Sequence, residues 1–182
     1  MVNKMNNNIF DDLGLVDGTG AMTPRQASEL GTVLPSGDSI KVLEFGSGNT
    51  TRKLCRALET KYKKVTYVTY ETSEQWAISD DYTVETRMHT THELCEGTIK
   101  IPEDEKYDLV IVDGPDGELR QHWYPLFKNN VKEGTIVHID DAFHYTSFEK
   151  EFRKYFPSTE DLFYVPLGEG GGNKCWITAK IL

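Results

Sequence analysis

Seven acidic or glycine positions and one histidine carry the chemistry this chain could do. In "VLEFGSGNTT", Glu44 precedes Gly46 and Gly48, which are one residue apart and lead into Asn49, Thr50 and Thr51. Glycine has no Cβ, so such a pair lets backbone amides close on a ligand, and a helix opening just after them would point its N–H groups the same way. Glu71 follows an apolar run, Asp113 follows another, and Asp140 with Asp141 ends a third. If Asp113, Asp140 and Asp141 lie together they repel unless a positive charge sits between them. A hard cation held by oxygen ligands, Mg²⁺ with Mn²⁺ as a substitute, would supply it. His144, four residues after Asp140, has a pKa range suited to taking a proton from a poor nucleophile. The competing reading is plainer: Asp113 contacts a ligand or caps a turn, and Asp140, Asp141 and His144 face solvent.

These residues need a scaffold, and the hydrophobic pattern supplies one. Thr23 followed by Pro24 is a helix start, with Ala27, Leu30 and Leu34 on one face of the segment to Leu34. "IKVLEF" is a strand; from Asn49 the spacing of Leu54, Ala57 and Leu58 becomes helical. "KVTYVTYE" predicts a second strand ending at Glu71, and Thr72 with Gln75 predicts a capping box for a short helix holding Trp76 and Ile78. "YTVETRM", "YDLVIVDGP" and "GTIVHIDD" supply three more strands, the last two apolar enough to be covered on both faces. Leu119, Trp123 and Phe127 mark a helix interrupted by Pro125, and Thr146 with Glu149 predicts a second capping box ahead of Phe148, Phe152, Tyr155 and Phe156. "DLFYVP" and "KCWITAKIL", joined by a short glycine-rich link, form a hairpin.

Strands alternating with helices predict an α/β fold: a doubly wound, mostly parallel seven-stranded sheet with helices on both faces and a C-terminal antiparallel hairpin. Residues 1–20 read as a polar, partly mobile segment and residues 21–182 as one domain, whose accessory helix at Thr23–Leu34 could fold over the ligand rim as a lid. In such a sheet ligands sit at the carboxyl ends of the strands, where the strand order reverses. Glu71 would then meet two ribose hydroxyls, and Glu44 would favour a cationic or zwitterionic ligand group over a pyrophosphate.

Composition narrows the partners. A formal net charge of -9 works against nucleic acid and anionic membranes, and no stretch approaches a membrane span. Cys55, Cys95 and Cys175 are odd in number and scattered, which predicts buried thiols in a reducing, cytoplasmic setting.

With these residues in view, "EFGSGNT" resembles the acid-x-Gly-x-Gly-x-Gly loop of class I S-adenosylmethionine-dependent methyltransferases, with Thr50 in the third glycine's place. The resemblance covers most of residues 40–182 in the order of elements. It implies that Glu44, Gly46, Ser47, Gly48 and Thr50 wrap the amino-acid part of S-adenosylmethionine, and that Glu71 with Thr72 receives the ribose. Asp113, at the next strand end, is placed to contact the cofactor. The 27-residue interval from Asp113 to Asp140 is similar to that in metal-dependent small-molecule O-methyltransferases, which implies metal binding by Asp113, Asp140 and Asp141 and catalysis by Asp113 or His144. The catechol-type lysine after Asp113 is missing; Gly114-Pro115-Asp116 stands there. The Asp-Pro-Pro-aromatic motif of amino-methyltransferases acting on DNA is also missing, which favours oxygen on a small molecule or sugar. A NAD(P)-dependent oxidoreductase, with Thr51 where the third glycine of its fingerprint belongs, and an inert binding module of the same fold are the alternatives.

Overall fold

The computed structural model describes residues 22–78, 83–115, 117–170 and 173–182; the expectation for residues 1–20 lies outside them. The chain opens with helix α1 (Pro24–Val33). Its N-cap Thr23 accepts from the Gln26 amide at 3.2 Å while the Gln26 side chain accepts from the Thr23 amide at 2.8 Å. Strand β1 (Ser39–Phe45), α2 (Asn49–Lys61), β2 (Lys64–Glu71), β3 (Val84–Met88) and the short α3 (Thr91–Glu96) follow. Then come β4 (Leu109–Val112), a 3-10 turn (Gly117–Trp123) running into α4 (Tyr124–Phe127), β5 (Ile136–Asp140), α5 (Thr146–Tyr155) and the hairpin β6 (Thr159–Val165) and β7 (Trp176–Ile181).

The sheet has the order β3-β2-β1-β4-β5-β7-β6. All neighbours are parallel except β7, which is antiparallel to both β5 and β6. The chain winds outward from β1 to β3 and then returns to β4 on the other side of β1, so the order reverses between β1 and β4. Leu43, Phe45, Val68, Tyr70, Val110 and Val112 pack one face against Trp123, Phe127 and Phe152. Ile40, Val42, Tyr67, Leu109 and Ile111 pack the other against Ala27 and Leu30 of α1 and Leu54 and Leu58 of α2. The doubly wound sheet expected from the apolar runs is therefore the one observed, because its central strands are buried on both sides.

Three local expectations are corrected and one capping box is added. Residues 74–76 form a turn, and no helix holds Trp76 and Ile78: the Thr72 and Ser73 amides donate to Glu71 at 2.7 and 2.8 Å, leaving no box for Gln75 to complete. The N-cap of α5 is Tyr145, so Thr146 is already inside the helix and is not the cap residue that the expected box requires. A capping box does open α3, from Thr90 and Glu93; its signal, Thr-x-x-Glu, stands in the sequence. Cys95 is exposed, unlike Cys55 and Cys175.

A close backbone approach lies at the reversal point. The amides of Asp113 and Gly114 both donate to the Phe45 carbonyl, at 2.9 and 2.7 Å. Gly46 has φ of 90°, and a Cβ there would lie 2.5 Å from the Gly114 nitrogen. Two chains can meet so closely only without side chains. Gly46→Ala should therefore cost about 1–3 kcal/mol by overlap alone, whereas Gly48→Ala, whose Cβ would meet the Trp76 ring at 3.6 Å, should cost less. Urea denaturation of the two variants checks that order, and equal midpoints would contradict it.

Candidate active site

A cavity of about 530 Å³ opens at the carboxyl ends of β1, β2 and β4, lined by the Gly46–Thr51 turn, Glu71–Ser73, Trp76, Thr91, Asp113–Pro115 and Leu119. Its size suits a nucleoside-bearing cofactor. On one side the first turn of α2 faces it. Gly48 is the N-cap and has no side chain to satisfy the first amides, although its own amide donates to the Thr51 hydroxyl at 3.0 Å. Free amides and the helix dipole favour an anionic group there, such as an amino-acid carboxylate. Thr50 lines the cavity, with its hydroxyl accepting from the Met22 amide at 3.2 Å.

Glu71 is buried and ties two loops together. It accepts from the Ser47 amide at 2.6 Å, the Ser47 hydroxyl at 3.3 Å, and the Thr72 and Ser73 amides. A ribose reaching this carboxylate must replace or share the Ser47 contacts. Glu44 takes a different position from the expected one. It does not line the cavity but is enclosed beneath it, with Oε2 unpartnered. Burial pushes its pKa up to about 8, against the pull of the nearby Thr51 and Tyr67 hydroxyls, so it is protonated at neutral pH.

The three aspartates are brought to one region, but not around a common point. Asp113 lines the cavity, and burial, reinforced by the charge of Asp140, holds its pKa well above the carboxylate range. Asp140 is almost fully buried and accepts from Gln26 Nε2 at 2.5 Å and Lys174 Nζ at 3.0 Å. Burial opposes its ionisation, yet Lys174 and Arg120 outweigh that and keep its pKa below the ordinary value. The pair therefore shares one proton, carried on Asp113. Asp141 has φ of 55° and turns away; its Oδ2 meets Arg120 at 3.3 Å, and its Oδ1 lies 3.8 Å from Lys174 Nζ.

Arg120, 3% exposed, closes the strand ends. Its Nη1 donates to the Asp140 carbonyl and its Nη2 to the Asp113 carbonyl, both at 2.7 Å. With Lys174 it supplies the positive charge that the acids require. The residues thus do not fit a Mg²⁺ or Mn²⁺ ion held by Asp113, Asp140 and Asp141: their oxygens are not gathered within 4.8 Å of one another, and two of the three are already paired. No local pattern announces Arg120, Lys174 or Gln26 as site residues, since each arrives from a distant element. His144 does not line the cavity, and its Nε2 bonds the Asn173 carbonyl. His138 is buried in β5 with Nδ1 2.9 Å from the Thr178 hydroxyl, and burial drives its pKa down to about 4. Helix α1 does not line the cavity either. It packs Ala27 and Leu30 into the core, as a fixed layer rather than a lid.

A glycine turn at the reversal point of a doubly wound sheet, with an acid at the end of β2 and an antiparallel β7, defines a class I, Rossmann-like, S-adenosylmethionine-dependent methyltransferase. Residues 43–142 match the methyltransferase domain family, more than half of the chain, and the chain belongs to that family. No curated protein sequence matches it. Among solved structures it is similar to a TehB-like S-adenosylmethionine-dependent methyltransferase from Corynebacterium glutamicum, with a TM-score of 0.59, 11% identity and 85% of each chain covered. It is also similar to the Methanococcus jannaschii fibrillarin pre-rRNA processing protein, with a TM-score of 0.55, 13% identity, and 86% of this chain and 74% of that one covered. A third likeness is to the glycopeptide N-methyltransferase MtfA in complex with S-adenosyl-L-methionine, at 0.51 and 11% identity over 85% and 92% of the two chains. At these identities the likeness carries the fold alone. Among the described residues no helix is long and apolar enough to cross a membrane.

The buried carboxyl of Glu44 has a pH signature. Its folded pKa, about 8, lies above its unfolded value of 4.5, so the stability it contributes is fully present below about pH 4.5 and is lost as pH rises through 8. Glu44→Gln removes the ionisation, so the variant should gain on the parent by up to a few kcal/mol between about pH 5 and about pH 8. Urea denaturation at both values measures the difference, and parallel pH profiles would show that Glu44 titrates normally.

Proposed function

We propose that the protein methylates a hydroxyl oxygen of a small molecule or sugar, with S-adenosylmethionine held in the cavity between the Gly46–Thr51 turn and Glu71. The observation that carries the cofactor placement is the cavity itself, bounded by α2's uncapped N-terminus on one side and the Glu71 loop on the other. The carboxylate of the cofactor's amino-acid part takes the helix amides, and its ribose takes Glu71 with Thr72 alongside. Trp76 at the mouth, 47% exposed, offers a flat apolar surface to the base. Glu44 supports the turn from beneath and does not touch the cofactor.

Asp113 is the residue we assign to catalysis. Methyl transfer from a sulfonium is an in-line displacement, so alignment supplies most of the rate. As the oxygen–methyl bond forms and the sulfur–methyl bond breaks, the attacking hydroxyl becomes strongly acidic. A weak base in place then suffices. The hydroxyl proton passes to Asp113 as the proton already shared by the pair shifts to Asp140. This reading needs no ion among the three aspartates and does not use His144 as the base. The chain's acidic balance and the absent Asp-Pro-Pro-aromatic motif support a small-molecule or sugar substrate over DNA. A nicotinamide-dependent reaction finds no support in the family or the fold.

Calorimetric titration with S-adenosylhomocysteine tests the placement. Glu71→Ala should weaken binding by about ten- to a hundredfold, the range expected for lost charge-assisted hydrogen bonds of roughly 1.5–3 kcal/mol, and NAD should give no heat. Binding by the variant as tight as the parent's would remove Glu71 from the ribose site. Once a substrate is in hand, Asp113→Asn should lower kcat while leaving the cofactor affinity within a factor of about three; a product methylated on nitrogen would overturn the oxygen assignment.

A further inference from the structure

Beside the cofactor rim lies a second cluster that methyl transfer as described does not use. Asp141, His144 and Cys175 each offer one donor atom, and the three atoms lie within 4.8 Å of one another. We propose that these three side chains bind a Zn²⁺ ion that pins the β5–α5 connection to the start of β7. This holds whatever the methyl acceptor is.

The donor set argues for zinc over a harder ion. One carboxylate oxygen, one imidazole nitrogen and one thiolate sulfur are the ligands Zn²⁺ takes in tetrahedral sites, whereas Mg²⁺ avoids sulfur. Two anionic ligands balance the ion's charge. Zinc–ligand bonds of about 2.0–2.3 Å place tetrahedral donors roughly 3.3–3.8 Å apart. The carboxylate Oδ1 of Asp141 already lies 3.8 Å from His144 Nε2, so the cluster needs to contract by no more than about 1 Å, and on metal binding Nε2 exchanges its bond to the Asn173 carbonyl for the ion while the ring proton moves to Nδ1.

The surroundings orient two of the ligands. Asp141 Oδ2 is held by Arg120 at 3.3 Å, which leaves Oδ1 toward His144. A carboxylate ligand anchored through its second oxygen is the usual outer-shell arrangement of a metal site. Cys175 Sγ is fully enclosed and accepts from the Phe143 amide at 3.3 Å. Burial, together with Asp141 and Asp140, pushes the thiol's pKa up against the pull of the amide donors, so the ion itself must displace the proton. On metal binding the S–H bond breaks, its proton leaves to solvent, and the S–Zn bond forms with no change of oxidation state. Lys174 stays paired with Asp140, its closer carboxylate at 3.0 Å. His144 is a third exposed, which gives the ion a path in and leaves a fourth position for water.

Co²⁺ titration is the test, because a cobalt–thiolate bond gives a near-ultraviolet charge-transfer band that oxygen and nitrogen ligands do not. The parent should show that band at one equivalent of Co²⁺, and Zn²⁺ but not millimolar Mg²⁺ should displace it. Cys175→Ser should abolish the band, and His144→Gln, a change at an accessible residue, should weaken Co²⁺ binding at least tenfold. Cys95→Ser should retain it. Absence of the band in the parent, or its survival in Cys175→Ser, overturns the proposal. S-adenosylhomocysteine affinity measured on His144→Gln should match the parent's, so a failed metal site and a failed cofactor site are read separately.

Discussion

Four carboxyl groups on one face of one sheet end set the terms for the rest of the structure. Glu44, Glu71, Asp113 and Asp140 stand at or next to the carboxyl ends of β1, β2, β4 and β5, and side chains along a strand alternate faces. The apolar residues two and four positions earlier, Val42 and Ile40, Ile111 and Leu109, face α1 and α2, so the acids face that way too. Enclosed carboxylates a strand spacing apart cannot all be ionised without compensation. The protein compensates each differently. Glu71 is surrounded by backbone amides, Asp140 has Lys174, Gln26 and Arg120, and Glu44 and Asp113 keep their protons.

That solution accounts for the placement of elements that otherwise look peripheral. Helix α1 is not a cover for the cavity but the source of Gln26, which reaches Asp140 from the first turn of a helix cemented by Arg25 over the Trp176 ring and by Glu29 on the Trp176 indole nitrogen. The segment before β7 delivers Lys174. The 3-10 turn after β4 delivers Arg120, whose forked donors match two carbonyls at the ends of adjacent strands. A lysine could not make that pair of contacts with one nitrogen while also meeting Asp141. Around this fixed centre the cofactor cavity needs only the glycine approach of Gly46 and Gly114 to bring the β1 and β4 loops against each other.

Much of this architecture was legible in the residues alone. Apolar runs such as "YDLVIVDGP" and "GTIVHIDD" cannot be half-exposed, so they dictate strands buried on both faces; the turn at Gly46 and the acid at Glu71 mark the ends of two of them. Periodicity and turn chemistry are local, and local signals survive in a sequence. They failed where two local options compete: the Thr72 and Ser73 amides turn back to Glu71 instead of starting a helix, and Tyr145 takes the cap position that Thr146 seemed suited to. What only the tertiary structure decided was the charge of the site. Three strand-end aspartates call for a cation whatever its source, and the sequence does not say whether it comes from solvent or from the chain itself. Arg120 and Lys174 lie 7 residues after Asp113 and 34 after Asp140, and no spacing rule links such residues. Folding brings them together because burying those acids unpaired would cost more than the fold can tolerate.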